Sequence, residues 1–184
     1  MFERLVEAFK VSLRNDKQII RRYIILGAFD GILVSISVLI TSVLAGESLD
    51  KITSVVLAGI MGVTISSMWN TLVVEVKEKR EELKHLEMQM MRTLKGTIYD
   101  YSFKISIILS TLSHSFSPFI GLVTLLIYNL TKNVLLTIVF SSLALSGLGV
   151  VYEGDLKEKL GTAVLMFIAG IIASLLSILI STSP

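Results

Sequence analysis

The sequence predicts an all-α fold, a polytopic membrane helical bundle with five transmembrane helices and a cytoplasmic helical extension between spans 2 and 3. Of the 184 residues, 53% are hydrophobic and only 17% are charged, whereas soluble domains carry about 25% charged residues. Each of five apolar stretches is close to the roughly 20 residues that a helix needs to cross a membrane. These stretches are 23–46, 52–74, 105–131, 133–152 and 160–182.

The same composition excludes several classes of protein. A soluble enzyme, a nucleic-acid-binding protein and a disulfide-bonded secreted domain do not fit a chain with this many apolar stretches. The chain contains no Cys, so thiolate metal sites and cysteine nucleophiles are also excluded. We therefore expect an integral membrane protein whose first partner is the lipid bilayer, with no enzymatic activity and no permanently bound cofactor.

The Lys and Arg residues predict the orientation of the spans. Fifteen of the 17 lie in the segments 1–22, 75–104 and 153–159, and the other two are Lys51 and Lys132. Because connections rich in Lys and Arg remain in the cytoplasm, the N-terminus is expected there and the C-terminus outside. Short connections and the lack of a visible targeting segment favour a prokaryotic plasma membrane.

The N-terminal segment, residues 1–22, is predicted to be cytoplasmic and amphipathic. Its first half has apolar side chains at helical spacing, which are Phe2, Leu5, Val6, Phe9 and Leu13. A short helix with this pattern and with basic residues on its other positions lies on a lipid surface. We interpret it as an interfacial anchor.

Spans 1 and 2 (residues 23–74) contain the one charged residue of the apolar stretches, Asp30. As the eighth residue of its span, it is expected roughly 11 Å below the cytoplasmic edge. An acid at that depth is by default part of an ion or proton pathway, and Ser37 and Thr41 fall on its helical face. The alternative is an acid that only fixes helix packing.

A second polar face runs along span 2 and just beyond it. Met61, Thr64, Met68, Thr71 and Glu75 lie within about 100° of one another on a helix. Thioethers, hydroxyls and a carboxylate on one face suit a divalent cation path, although Met also fills gaps in ordinary packing.

Residues 75–104 are predicted to form a cytoplasmic helical segment that binds metal and that continues span 2 to a stop near Gly96. Glu78, Glu81, Glu82 and His85 share one face. The Glu82-x-x-His85 spacing is that of di-iron carboxylate bundles, and oxygen and nitrogen ligands suit Fe(II), Mn(II) or Zn(II). The alternative is an ordinary solvated face of a Glu- and Lys-rich helix.

Residues 105–182 are predicted to form transmembrane helices 3–5. Small residues recur every four positions in the last span, from Ala169 to Ser181, which indicates close helix contacts. His114 is interpreted as a core histidine, and the alternative is a second polar group of a pathway. An odd number of short spans favours a homodimer with a pathway between the subunits.

Several of these residues resemble a known family. The run from Arg22 to Gly31, RYIILGAFDG, resembles the first-helix signature Arg-x-x-x-x-Gly-x-x-Asp-Gly of the vacuolar iron transporter family. In span 2, a run with Gly59 and Gly62 that ends in Ser67-Met68 resembles the Gly-rich run of that family. Lys79-Arg80-Glu81 stands where the family often has Gln-Arg-Glu, so the resemblance covers residues 21–82.

The resemblance implies a dimeric exporter that moves Fe2+ or Mn2+ out of the cytoplasm in exchange for protons. Asp30 would be the membrane acid, Met68 the methionine of the second helix, and the cytoplasmic glutamates a domain that collects metal. The family usually has a Glu four residues after that Met; Leu72 stands there in this chain, with Glu75 as the substitute. The predicted metal-binding residues are thus Asp30, Met68, Glu75, Glu78, Glu81, Glu82 and His85.

Two other functions are compatible with the sequence. One is a membrane-anchored metal-binding or di-iron protein, but a single Glu-x-x-His supplies half of the ligands that a di-iron bundle needs. The other is a structural membrane subunit without transport activity, for which the small-residue faces would suffice. Neither of them requires Asp30.

Overall fold

The computed structural model describes the backbone of residues 2–182 and the side chains of residues 6–182. All regular elements in that range are helical, which confirms the predicted all-α class. They are α1 (Phe2–Asn15), α2 (Lys17–Leu44), α3 (Leu49–Met90), α4 (Ile98–Phe116), a 3-10 turn (Ser117–Gly121), α5 (Leu122–Thr131), α6 (Val134–Val150) and α7 (Leu156–Thr182).

Four helical segments of the described chain are long and apolar enough to cross a membrane. They are Lys17–Leu44, Leu49–Met90, Ile98–Thr131 and Leu156–Thr182. The remaining predicted span corresponds to α6, which has 17 residues and is about 26 Å long, slightly less than a hydrocarbon core of about 30 Å. An integral membrane protein is therefore supported, and the fifth span remains a prediction.

Helix α3 is continuous through the predicted boundary between span 2 and the segment 75–104. Its 42 residues make it about 63 Å long, roughly twice the thickness of a hydrocarbon core. It ends at Met90, earlier than the predicted stop near Gly96, because Met91 adopts a positive φ of 49°. The Glu87 carboxylate then accepts a hydrogen bond of 2.8 Å from the Leu94 amide, which holds the chain in this turn.

The predicted third span, 105–131, lies within the apolar helical segment Ile98–Thr131, which is interrupted by a 3-10 turn. The helix begins earlier, at Ile98, and α4 and α5 are separated by the 3-10 turn Ser117–Gly121. Pro118 lies in that turn, and its ring removes a backbone N–H donor and prevents a regular helix from continuing.

Helix α1 covers most of the segment predicted to be amphipathic and shows which side of it packs. Ala8 and Ser12 are fully buried, and α1 contacts α4. Val6, Phe9 and Leu13 are each about 40% exposed, whereas the side chains of Phe2 and Leu5 lie outside the described residues. The apolar face is thus accessible to a lipid surface.

The chain divides into two compact units. Unit 1 comprises residues 1–24 and 65–116, and unit 2 comprises residues 25–64 and 117–184. Unit 2 has an apolar interior with two clusters, one around Leu39 and Val56 and the other around Ile36 and Leu145.

Within unit 2, α2 and the 3-10 turn approach each other at the backbone. A side chain at Gly31 would overlap the Pro118 backbone, and one at Gly121 would overlap the Gly31 carbonyl. Only glycine permits this approach. The Gly that follows Asp30 in the transporter-like signature therefore has a packing role.

Unit 1 has a different interior. Its buried apolar side chains are few, namely Ala8, Tyr23 and Leu94, whereas Asp16, Glu75 and Lys79 are each at most 5% exposed. These are all of the buried charged side chains in residues 6–182, and they lie together with many buried hydroxyls. The candidate functional site lies in this polar interior.

Candidate functional site

A buried ion cluster joins the start of α2 to the second half of α3. The Lys79 ammonium donates hydrogen bonds of 2.8 Å to Asp16 Oδ1 and 2.8 Å to Glu82 Oε2. The Lys79 and Asp16 side chains are 5% and 7% exposed, whereas Glu82 is 52% exposed. Lys79 Nζ also lies 5.3 Å from the centre of the Phe103 ring of α4, which is within the range of a cation–π contact.

The cluster forms because α3 presents a polar stripe to the interior of unit 1. Ser67, Thr71, Glu75 and Lys79 are all at most 5% exposed. They are separated by four residues each, so they lie on one face of the helix. One face of α3 thus holds two hydroxyls, a carboxylate and an ammonium.

Glu75 is the most buried acid of this stripe, with 1% of its surface exposed. The Tyr23 hydroxyl of α2 lies beside the Glu75 carboxylate and interacts with it. Neither carboxylate oxygen has a partner at full hydrogen-bond geometry. Lys79, one helical turn further along α3, is the cation that offsets the charge of Glu75.

His114 of α4 is part of the same group of side chains. Its Nδ1 lies 2.5 Å from Thr71 Oγ1, and its ring centre lies 5.2 Å from that of Tyr23. Tyr23 therefore contacts both the imidazole of His114 and the carboxylate of Glu75. The interpretation of His114 as an ordinary core histidine omits these neighbours, which are hydroxyls and an acid.

Buried serines continue this polar interior along α4. Ser102, Ser106 and Ser110 are 3%, 0% and 0% exposed. The hydroxyl oxygens of Ser106 and Ser110 have no hydrogen-bond partner, and neither has that of Ser12 in α1. Unit 1 thus encloses a line of hydroxyls next to a carboxylate, an imidazole and an ammonium.

Asp30 lies in unit 2 and is exposed on the surface of the single chain. Ser37 and Thr41, predicted to share its face, line a groove of about 620 Å³ with Ser177 of α7. Asp30 itself is not part of the lining of this groove. The polar face predicted for span 1 thus divides into an exposed acid and hydroxyls in a groove.

The methionines predicted for a cation path lie on the outside of α3. Met61 is 46% exposed and Met68 is 37% exposed, whereas Thr71 and Glu75 are buried. Met68 belongs to unit 1 and Asp30 to unit 2. The predicted face thus has a thioether edge that is exposed and a carboxylate that is enclosed.

The predicted metal-collecting face lies on the distal part of α3. Glu78, Glu81, Glu82 and His85 are exposed, and Glu82 is engaged by Lys79. In the part of the chain that the structure describes, no group of three His, Asp or Glu side chains is close enough to hold a metal ion.

Neither the buried ion cluster nor the line of buried serines on α4 was predicted from the sequence. The spacing of Ser102, Ser106, Ser110 and His114 at every fourth position is visible in the sequence and would have indicated a polar face on α4. Asp16 had no such signal, since only the fold brings it to Lys79.

Comparisons of the chain with protein-family models, with curated proteins and with solved structures found no match. Its function is therefore inferred from the side chains described above.

Proposed function

We propose that the chain is a proton-coupled transporter that exports a divalent metal ion, Fe2+ or Mn2+, as a homodimer of the vacuolar iron transporter type. The observation that carries the proposal is Asp30, a carboxylate exposed on the surface of an apolar helix. Placing such a group toward lipid costs at least about 2–3 kcal/mol, and acids retained at membrane depth belong to ion or proton pathways as a rule.

In a homodimer, the exposed Asp30 carboxylates of the two copies would lie at the interface between the subunits. If the Asp30 face of α2 lies at the dimer interface, the carboxylate faces its counterpart and the transported ion instead of hydrocarbon. The groove lined by Ser37, Thr41 and Ser177 supports this arrangement, because it places hydroxyls on the same helix.

The proposed orientation has five spans, the N-terminus in the cytoplasm and the C-terminus outside. It is supported by the unequal distribution of Lys and Arg between alternate connections, since cytoplasmic connections carry the excess. In this orientation the distal part of α3 lies in the cytoplasm, where metal is taken up.

Metal collection is assigned to the exposed carboxylates and the imidazole of distal α3. Glu78, Glu81, Glu82 and His85 supply oxygen and nitrogen ligands of the kind that Fe(II) and Mn(II) accept. Two α3 helices in a dimer double this set. Asp30 would then receive the metal in the membrane and exchange it for a proton, because both ions bind the same carboxylate.

Metal flux into reconstituted vesicles tests the proposal. We expect Mn2+ transport driven by a pH gradient in the wild-type protein, reduced at least about tenfold in Asp30→Asn, which corresponds to 1.4 kcal/mol. Asn keeps the size of the side chain but carries no charge and binds no proton.

The matched control is Asp50→Asn, the same change at an exposed acid in the first turn of α3. Its flux should stay within twofold of the wild type. If the pH-driven Mn2+ flux through Asp30→Asn equals the flux through the control, Asp30 has no role in transport.

A further inference from the structure

The serine line of α4 runs along one face of that helix and ends at His114. Ser102, Ser106, Ser110 and His114 follow one another at four-residue intervals, so the line is about 18 Å long. The three serines are buried, and His114 at the end of the line is bonded to Thr71. We call these four residues the α4 column.

Contacts with α3 show which residues lie beside the α4 column. His114 meets Thr71 at one end, and Phe103 meets Lys79 near the other. The two helices are therefore antiparallel over this length. Glu75, midway between Thr71 and Lys79, lies at the level of the middle of the column.

Helix α2 borders the column on another side. Its Tyr23 contacts the His114 ring and interacts with the Glu75 carboxylate, and Asp16, the residue before α2, binds Lys79. Thr71, Tyr23 and His114 thus meet at one end of the column, and Tyr23 connects them to Glu75 near its middle. The Asp16–Lys79–Glu82 ion cluster lies at the other end.

The polar groups of this interior have few partners within the protein. The hydroxyls of Ser106 and Ser110 are enclosed without a hydrogen bond, and the Glu75 oxygens have no partner at full hydrogen-bond geometry. Each buried unsatisfied group of this kind destabilises a protein by about 1–3 kcal/mol. What distinguishes this interior is that the hydroxyls lie among a buried acid and a histidine, the residue types that relay protons in membrane pumps and transporters.

We propose that the α4 column is a proton route inside each protomer and that His114 holds the proton at the end beside Thr71. The inference deepens the proposed proton-coupled transport and rests on it. It assigns the proton to residues of unit 1, whereas the metal ion is assigned to Asp30 of unit 2. One protomer suffices for the proton route, since all four residues come from the same helix.

The transfer steps balance without any group other than water. The imidazolium of His114 releases one proton and becomes neutral imidazole. Side chains four residues apart on a helix are about 6 Å apart, so the proton passes between successive hydroxyls through water, with each hydroxyl accepting one proton and donating its own. Ser102 delivers it at the end where Asp16 and Glu82 lie, which is cytoplasmic in the proposed orientation.

The groups that face His114 favour this role. The His114 ring contacts Tyr23 of α2, and its Nδ1 lies beside the Thr71 hydroxyl of α3. Tyr23 in turn contacts the Arg22 guanidinium, which lies 5.6 Å from its ring, and the Glu75 carboxylate. Helix α1, which packs on α4, contributes the neutral Ala8 and Ser12 to the interior. Tyr23 thus connects His114 to one cation and one carboxylate.

The proton route is tested in vesicles that contain a pH-sensitive dye and are exposed to a Mn2+ gradient. In His114→Gln we expect Mn2+-driven proton movement to fall at least tenfold, while Mn2+ exchange at equal pH on both sides stays within twofold of the wild type. If His114→Gln moves as many protons per Mn2+ as the wild type, the α4 column is not the proton route. Absence of Mn2+ movement in the wild type would instead overturn the proposed function, and the route with it.

A second pair of variants keeps the test independent of folding at position 114. Ser106→Ala/Ser110→Ala removes two hydroxyls that have no partner, so the dimer should remain folded while proton movement falls at least threefold. Ser141→Ala/Ser142→Ala is the matched control, because these α6 residues are equally buried and equally lack partners. If both pairs move protons at the wild-type rate, or if both are impaired alike, the α4 column is not the route.

Discussion

The buried side chains of unit 2 are mostly aliphatic, with Ile36, Leu39 and Ile40 fully enclosed, whereas those of unit 1 include Asp16, Glu75 and Lys79. Both units are helical and belong to one chain, so secondary structure does not explain the difference. Helix α3 contributes to both: its buried residues are Ile52, Val56 and Ile60 in unit 2, and Ser67, Thr71, Glu75 and Lys79 in unit 1.

The buried charges of unit 1 are residues that selection for stability alone would not favour. An apolar interior of the same volume is often as stable as a buried ion cluster or more so. A polar interior with buried charges that is nevertheless present in unit 1 therefore indicates a function. The two aliphatic clusters of unit 2 are, by contrast, explained by packing.

The largest effect on stability is expected from Lys79→Met. The substitution leaves Asp16 and Glu75 buried without their cation, and breaking a buried pair by removing one partner costs about 3–5 kcal/mol. Unfolding in detergent by denaturant measures this loss. The double variant Asp16→Asn/Lys79→Met should recover at least about 1 kcal/mol, because residues in direct contact couple by that amount.

Lys77→Met is the matched control for Lys79→Met. Lys77 lies half a turn away on α3 and is exposed, so its substitution should change the free energy of unfolding by no more than about 0.5 kcal/mol. If the two variants are equally stable, the buried carboxylates of unit 1 do not need Lys79 as their cation. The inferred energetic difference between the interiors of the two units would then be wrong.

Ile36→Ala tests the apolar unit and should have the next largest effect. Ile36 is 1% exposed and packs with Ile32, Ile40 and Leu145, so truncation leaves a cavity and destabilises the protein by about 2–5 kcal/mol. Ile172→Ala, at an exposed position of α7, is the control and should cost less than about 1 kcal/mol. A loss at Ile172 as large as that at Ile36 would contradict the assigned core.

Much of the fold follows from local pattern. Long apolar stretches predicted α2, α3 and α7, and the absence of Gly and Pro from 75–95 predicted that α3 continues beyond its span. The interruption after Phe116 was missed, because Pro118 lies within an apolar stretch whose hydropathy gives no sign of a break. The end of α3 at Met90 was also missed, since it depends on the Glu87 carboxylate bonding to the Leu94 amide.

Less of the site was predictable. Asp30 stands out as a charge in an apolar stretch, and Glu75 was named as a substitute ligand. The contacts of Glu75 with Tyr23, and those of Lys79 with Asp16, join residues more than 50 positions apart in sequence, and no local pattern encodes them. The repeat of Ser102, Ser106 and Ser110 is local, but four-residue repeats of small residues are ordinary in membrane helices.

The smallest effect on stability, and the one that separates the exposed from the buried part of α3, is expected on the distal face. Replacing Glu78, Glu81, Glu82 and His85 by Ala should abolish binding of Mn2+ to the dimer while changing the free energy of unfolding by less than about 1 kcal/mol, since exposed ion pairs contribute little. A variant with Ala at Glu78, Glu81 and His85 alone should bind Mn2+ more weakly than the wild type but more tightly than the fourfold variant, because Glu82 bonds Lys79 through Oε2 and keeps its other oxygen as a ligand. Titration calorimetry of the three proteins checks this, and an unchanged Mn2+ stoichiometry in the fourfold variant would return these residues to an ordinary solvated face.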